Sequence, residues 1–323
     1  MRTRLSLITR LSIAILILAV VLGAFPGPVA AVPGRRQKPS AAPHDLIEIL
    51  SQFSAQPYAP GLQSTPQSSR IGSVDVARAS MVPVLRRLVE RQVSPLIVPV
   101  MAQRPELPTG CEATTLTMLL NWAGINLSKT AVADLIPTST LPFFMHNGSF
   151  VGPNPEVAFV GDPRETTGYG VYERPVLMAA RALFPGRALN LTGESFDMVL
   201  SYVKHGHPVM VWTTISLLPP NVMAVWQDPS GNRVNWIAGE HSMLVVGVTE
   251  DSVIANDPWS GRQEIYPREL FARRWRQMGS RGLTILSPDF YEASLLYARI
   301  IPPEDRTIRV TDATTGISGA KTD

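Results

Sequence analysis

The stretch that decides the fold is Pro105-Glu106-Leu107-Pro108-Thr109-Gly110-Cys111-Glu112-Ala113-Thr114, which contains the single cysteine of the 323-residue chain. Proline and glycine before Cys111 predict a loop. After it, apolar residues recur at helical spacing until Gly124, which predicts a helix that begins at the cysteine. The first turn of a helix offers unpaired backbone N–H groups and a positive dipole end, and both favour a thiolate nucleophile. The alternative interpretation is a small buried apolar side chain, the common state of a free cysteine.

The first 31 residues have the pattern of an export signal. Three arginines precede an uncharged apolar run over residues 11–25, and the small residues Val29-Ala30-Ala31 follow it. The run of 15 residues is shorter than the ~20 that a spanning helix needs. We therefore expect cleavage after Ala31, no stable membrane span after signal removal, and a secreted or extracytoplasmic protein.

The charge balance and the cysteine count exclude several classes. The formal net charge of +3 falls to zero when residues 1–31 are removed, because that segment holds three arginines and no acidic residue. A basic balance confined to a targeting segment does not predict nucleic-acid binding. One cysteine excludes an intramolecular disulfide, and the scattered histidines show no recognised ligand spacing, so we expect neither a metal nor a cofactor.

Composition divides the chain further. Residues 32–95 are rich in Pro, Ser, Gln and Ala and predict a disordered spacer, with one helix over 74–93. Residues 96–290 predict the main domain, and residues 291–323 a C-terminal tail that is disordered from Asp305. We expect a monomer.

Within the main domain, helices come first and most strands later, which predicts an α+β fold. The segment between residues 137 and 175 is dense in Gly, Pro and Asn and predicts a long loop. The predicted helices are 111–123, 128–135, 175–184, 195–205 and 268–277. The predicted strands are 96–100, 208–215, 242–248, 252–255 and 283–286.

A histidine and an acid follow the cysteine at a spacing that suits catalysis. His241 directly precedes one predicted strand, and Asp257 ends the next, so a hairpin would bring the two side chains together. A carboxylate beside an imidazole fixes its tautomer, and the imidazole can then take the proton of Cys111. Asn256 is the alternative partner. Because side chains alternate along a strand, only one of the two faces the histidine, and we favour Asp257.

Four other histidines compete for the role. His205 and His207 flank the predicted end of a helix, where a structural role is expected. His44 lies in the spacer. His146 lies in the long loop and is the strongest rival, since a loop residue can reach a cleft.

Thiolate attack on a carbonyl creates an oxyanion that needs hydrogen-bond donors already in place. The backbone N–H of Cys111 is one candidate. The side-chain amide of Gln103 is another, and simple solvation is the alternative interpretation of this loop glutamine.

Three blocks together resemble the C39-like cysteine peptidases, a papain-like bacterial family related to enzymes that trim bacteriocin leaders. The blocks are the stretch from Gln103 to Glu112, Gly239-Glu240-His241-Ser242 and Asn256-Asp257-Pro258-Trp259. The resemblance covers about residues 96–286. It implies a helical half that carries the nucleophile, packed on an antiparallel sheet that carries the histidine and the acid.

The resemblance also implies an activity and a role for each residue. Cys111 is the nucleophile, His241 the general base and then acid, Asp257 the group that orients it, and Gln103 an oxyanion donor. The implied protein is an exported thiol hydrolase that cleaves a peptide or protein substrate through an acyl-enzyme. Glu112 stands where transporter-fused members carry glycine, so cleavage after a double-glycine leader is not implied.

Two further functions fit the same residues. One is a non-catalytic exported binding module on a papain-like scaffold. The other is a thiol-dependent acyl transferase, which shares the nucleophile and base with a hydrolase.

Overall fold

The computed structural model describes residues 95–300, with side chains described as far as residue 295. The predicted signal, the spacer with its helix, His44 and the end of the predicted tail lie outside the described residues. Within that range, every helix is too short or too polar to span a bilayer.

The described chain combines six α-helices with twelve strands. In order, the elements are α1 (Cys111–Trp122), α2 (Lys129–Ala133), β1 (Thr138–Ser139), β2 (Phe143–Phe144), β3 (Phe150–Val151), β4 (Phe159–Val160), α3 (Glu173–Leu183), β5 (Ala188–Asn190), α4 (Phe196–Lys204), β6 (Val209–Thr214), β7 (Val222–Gln227), β8 (Arg233–Ile237), β9 (Glu240–Val248), β10 (Ser252–Asp257), β11 (Arg262–Pro267), α5 (Arg268–Gln277), β12 (Gly282–Ile285) and α6 (Pro288–Ile300).

The five predicted helices are confirmed, with ends that differ by a few residues. Helix α1 begins at Cys111, as the Pro-Gly loop before it predicts. Ser128 caps α2 by accepting a hydrogen bond from the N–H of Ala131, and Ser195 caps α4 in the same way from Met198.

Six strands form the main sheet in the order β11-β10-β9-β6-β12-β5, and all neighbours are antiparallel. Side chains alternate between its two faces. Met210 and Leu244 pack in the hydrophobic cluster that includes α1 and α3, whereas Val211 and Val245 pack in the cluster that includes α4 and α5. Helices thus cover both faces of an antiparallel sheet, which confirms the α+β class.

A second sheet, in the order β2-β3-β7-β8, was not predicted. Its β7–β8 hairpin follows a Leu-Pro-Pro run, and most of its side chains are exposed or half-buried, so the apolar pattern is weak. Trp226, Val234 and Trp236 form its small buried core. The predicted long loop likewise contains the two-residue strands β1 to β4, two of which pair within this sheet.

Two other differences have clear physical causes. The strand predicted over residues 96–100 is wrong: Leu96 donates one hydrogen bond to Val246 O at 2.7 Å, but Pro95 and Pro99 have no N–H to continue a ladder. At the other end, α6 crosses the boundary placed at residue 290, because Phe290 and Ala293 are fully buried in the α4–α5 cluster.

The packing of α1 can be tested by truncating one buried side chain. Leu119 has no exposed surface, so Leu119→Ala should lower the free energy of unfolding by about 2–5 kcal/mol, measured by urea denaturation. Met178→Ala is the control, since 70% of that side chain is exposed on α3. Equal losses in the two variants would contradict the assignment of α1 to the core.

Candidate active site

The loop before α1 is held by hydrogen bonds around Gln103, which is buried. Its backbone N–H donates to Pro258 O at 2.9 Å, directly after β10. Its side-chain Nε2 donates to Pro108 O at 2.7 Å, and Lys129 Nζ donates to Gln103 O at 2.8 Å. Gln103 therefore ties the cysteine loop to α2 and to the end of β10. The oxyanion role predicted for this residue stays a prediction.

His241 and Asp257 meet across the β9–β10 pair, as predicted from the hairpin. The imidazole Nε2 lies 2.7 Å from Asp257 Oδ1, and both side chains are buried. Asp257 also accepts hydrogen bonds from Trp259 N–H at Oδ1 and from the Tyr266 hydroxyl at Oδ2, each at 2.8 Å. Three donors thus fix the carboxylate, which in turn fixes the ring and leaves Nδ1 for other contacts.

Asn256 faces away from the histidine. Its Nδ2 donates to Val98 O at 2.9 Å, and its Oδ1 accepts from Gln263 Nε2 at 3.1 Å. The choice of Asp257 over Asn256 as the partner of His241 follows from this alternation along β10.

Burial and hydrogen bonding have opposite effects on the pKa of the Asp257 carboxyl. Burial raises the pKa of its carboxyl, but the hydrogen bond and charge of His241, together with Trp259 N–H and the Tyr266 hydroxyl, lower the pKa below its ordinary value. Asp257 is therefore an anion at neutral pH.

Cys111 lies at the first position of α1, and its thiol is buried. The sulfur donates to Glu112 Oε2 at 3.2 Å and accepts a hydrogen bond from the backbone N–H of Ser242, the residue after His241. Nearby, Thr115 Oγ1 donates to Ser242 O at 3.1 Å, so two contacts join the start of α1 to β9. Among the described residues, no hydrogen bond links the thiol directly to the imidazole.

The helix start favours a thiolate, as expected, but other effects outweigh it in this structure. Burial raises the pKa of the Cys111 thiol well above its ordinary value, and the carboxyl groups of Glu112 and Glu240 raise it further. The Ser242 N–H lowers the pKa of the thiol, but by less than burial and the two carboxyls raise it. The thiol is neutral in this state.

Glu112 and Glu240 were not predicted as site residues. Together with Cys111 they form an acid cluster, in which the sulfur and one carboxyl oxygen from each glutamate all lie within 4.8 Å of one another. Burial raises the pKa of both carboxyls, that of Glu112 to about 7, and the charge of Glu112 further raises that of Glu240. The available sequence signal was their position: each glutamate adjoins a candidate catalytic residue.

The acid cluster is also the one group of potential metal-ligating side chains found among residues 95–295. Within it, the thiol donates to Glu112 at 3.2 Å, and burial raises the pKa of both carboxyls, so the cluster retains protons. We therefore assign no metal to it.

The rival histidines lie elsewhere. His205 Nδ1 is 2.8 Å from Ser201 O within the last turn of α4, and His207 Nε2 is 3.3 Å from Ser287 Oγ. Both rings are buried in structural positions. His146 is exposed in the turn between β2 and β3.

The part of the chain that contains these residues is similar to known proteins. Residues 95–283, more than half of the chain, match the model of the Peptidase_C39 like family. The uncharacterized protein YvpB of Bacillus subtilis (strain 168) is 34% identical over 181 residues, which cover 56% of this chain and 70% of that protein. A crystal structure described as a C39-like peptidase from Bacillus anthracis is 34% identical with a TM-score of 0.54, covering 59% of this chain and 94% of that one.

The hydrogen bond from Tyr266 to Asp257 predicts a pH-dependent stability. Because the folded-state pKa of Asp257 is lowered, the carboxylate stabilises the fold above its unfolded pKa of ~3.9, and this stabilisation is lost as pH falls through the folded pKa. Tyr266→Phe removes one donor and moves that pKa upward. The variant should lose about 1–3 kcal/mol near neutral pH, and the difference from wild type should shrink below about pH 4.

The measurement is denaturant unfolding across pH. Tyr202→Phe, which removes a hydroxyl from another buried tyrosine, serves as the control and should leave the acid side of the profile unchanged. A loss in Tyr266→Phe that is the same at all pH values would contradict the role of Asp257.

Proposed function

Because the chain belongs to the Peptidase C39-like family, we propose that it is a cysteine peptidase that cleaves peptide bonds through an acyl-enzyme on Cys111. The family and the α+β fold predicted from the motifs are both confirmed. The observation that carries the proposal is the buried His241–Asp257 pair at 2.7 Å. His241 directly precedes Ser242, whose backbone N–H binds the Cys111 sulfur.

Each residue has a role in the proposed reaction. The Cys111 thiolate attacks the substrate carbonyl carbon, and the oxyanion that forms accepts hydrogen bonds from donors at the start of α1. The N–H of Cys111 is one, since the first N–H groups of a helix have no partner within it. The second N–H of Gln103 Nε2 is the other, because the first is used by Pro108 O.

His241 transfers protons to the leaving group and from the attacking water. As the imidazolium it donates a proton to the departing amine, and as the neutral ring it takes a proton from the water that hydrolyses the thioester. Asp257 holds the ring at Nε2, so the proposed exchange occurs at Nδ1.

We propose that the protein acts outside the cytoplasm on a peptide or protein substrate, as a monomer. The signal pattern of residues 1–31 supports export. A free thiol in an oxidising compartment is vulnerable to oxidation, and a neutral, buried thiol is less so than an exposed thiolate.

The neutral thiol is also the observation that favours a second candidate, a binding module without catalysis. A resting thiol with a raised pKa needs a proton acceptor before it can attack, and a scaffold that only binds would need none. An acyl transferase would use the same groups with an amine in place of water.

Three variants separate these functions. Digestion of a peptide library by the purified chain should be abolished in Cys111→Ala, and Asp257→Ala should lower kcat/KM by about 10²-fold or more. Asn256→Ala is the matched control, because it adjoins Asp257 but faces Val98 and Gln263, and it should retain most of the activity.

Product analysis by mass spectrometry completes the test. Cleaved peptides indicate a hydrolase, and incorporation of an added amine indicates a transferase. Activity that persists in Cys111→Ala would refute the proposal.

A further inference from the structure

The acid cluster places a second proton acceptor next to the sulfur. Cys111 Sγ lies 3.2 Å from Glu112 Oε2, and the other oxygen of Glu112 accepts the N–H of Val171 at 2.7 Å. A side chain at Gly170 would place its Cβ 2.6 Å from Glu112 Oε1 and 2.8 Å from Glu240 Oε2, so the glycine backbone packs on both carboxyls. The three side chains of the cluster are buried.

The contacts within the cluster fix where the protons lie. Two buried carboxyls in contact cannot both be ionised, so a proton lies between Glu112 and Glu240. A second proton is the one that Cys111 donates to Glu112. Among the described residues no N–H or O–H donates to Glu240, whereas Glu112 accepts from Val171 as well. Glu112, which accepts two hydrogen bonds, is therefore the better site for the negative charge, and Glu240 is the better site for the proton of the pair.

We propose that Glu112 takes the proton of the Cys111 thiol in the first step of the reaction, and that Glu240 acts through Glu112 as a positioning residue that stays protonated. This inference rests on the function proposed above. It adds a catalytic group, Glu112, to the pair formed by His241 and Asp257.

The proposed step conserves charge. The S–H bond breaks, an O–H bond forms on Glu112 Oε2, and the electron pair stays on sulfur. One negative charge is present in the cluster before and after the transfer, so the thiolate forms without a charged carboxylate beside it. The Ser242 N–H and the start of α1 then stabilise the sulfur anion.

In the rest of the cycle, His241 carries out the two other proton transfers. The imidazolium gives a proton to the leaving amine, and the ring regains one from the attacking water. Departure of the thiolate from the acyl group then lets Cys111 recover its proton from Glu112. No further reactant is needed.

The surroundings are consistent with Glu112 as a base near neutral pH. A pKa of about 7 matches the working range of a general base. The charge of Arg281 lowers the pKa of Glu240, but Arg281 forms its ion pairs with other residues, with Glu156 at 2.6 Å and with Glu173. Burial and neighbouring acids raise the pKa of the Tyr172 hydroxyl, which stays neutral.

On β9, His241 follows Glu240 directly and is the other proton-transfer group of the proposed reaction. A test must therefore separate Glu112 from His241.

Alkylation reports on Cys111 alone, because the chain has no other cysteine. The rate of iodoacetamide modification of the full chain, with EDTA present, is measured across pH without substrate. In wild type we expect the rate to rise through about pH 7 and then to level, because the internal proton transfer does not depend on pH once Glu112 is ionised.

The variants should differ in the pH profile of alkylation and in peptide hydrolysis. Glu112→Gln keeps an oxygen for Val171 N–H but removes the base, so the rise near neutral pH should disappear and peptide hydrolysis should fall by about 10²-fold or more. Glu240→Gln replaces the protonated acid by a neutral donor and should keep the rise in alkylation. His241→Ala should lose hydrolysis but keep the rise in alkylation.

Three outcomes would overturn the proposal: an unchanged profile in Glu112→Gln, faster alkylation of that variant at neutral pH, or loss of the rise in His241→Ala instead. Faster alkylation would show that Glu112 only opposes the thiolate. A residual activity of Cys111→Ala refutes the proposed function instead, so the two failures are distinguishable.

A second measurement serves if Glu112→Gln does not fold. The thiol hydrogen bond lowers the pKa of Glu112, so infrared titration of the buried carboxyl should show a higher pKa in Cys111→Ala than in wild type. Identical titrations would contradict the proton contact between Cys111 and Glu112.

Discussion

The packing of the first turn of α1 on β9 is the constraint on which the rest of the site depends. Thr115 and Cys111 both hydrogen-bond to the backbone of Ser242, which lies 127 positions after Thr115. Because β9 is a central strand with β6 and β10 as neighbours, its position is set by the core and not by the site. The nucleophile and the histidine are therefore brought together by the same contacts that hold the two halves of the domain.

The charge state of Cys111 shows which of two opposing effects is larger. A helix start favours an anion by about 0.3–1 kcal/mol. A carboxylate about 4 Å away opposes the thiolate by roughly 4 kcal/mol at an effective dielectric constant of 20, and burial adds to that cost. Position in a helix alone is therefore a poor guide to thiol reactivity, and the side chains that meet at the helix end decide it.

Much of this site could be predicted from residue pattern, because its parts are local. The helix at Cys111 follows from a Pro-Gly loop, and the meeting of His241 and Asp257 follows from one hairpin and strand alternation. The contact between Glu112 and Glu240 could not, since it depends on how α1 lies across β9 and leaves no periodicity in the sequence. The β7–β8 hairpin was missed for a related reason: few of its side chains are buried.

The two sets of buried acids in this site, Asp257 and the Glu112–Glu240 pair, differ in how firmly they hold a negative charge. Asp257 receives three hydrogen bonds and remains an anion, so it can hold the imidazole in one orientation. The Glu112–Glu240 pair receives fewer donors from its surroundings and retains a proton, so its charge can change near neutral pH. The number of donors around each carboxyl, more than its burial, separates a fixed charge from a mobile one. In this fold both kinds adjoin His241: Glu240 precedes it on β9, and Asp257 contacts its ring from β10.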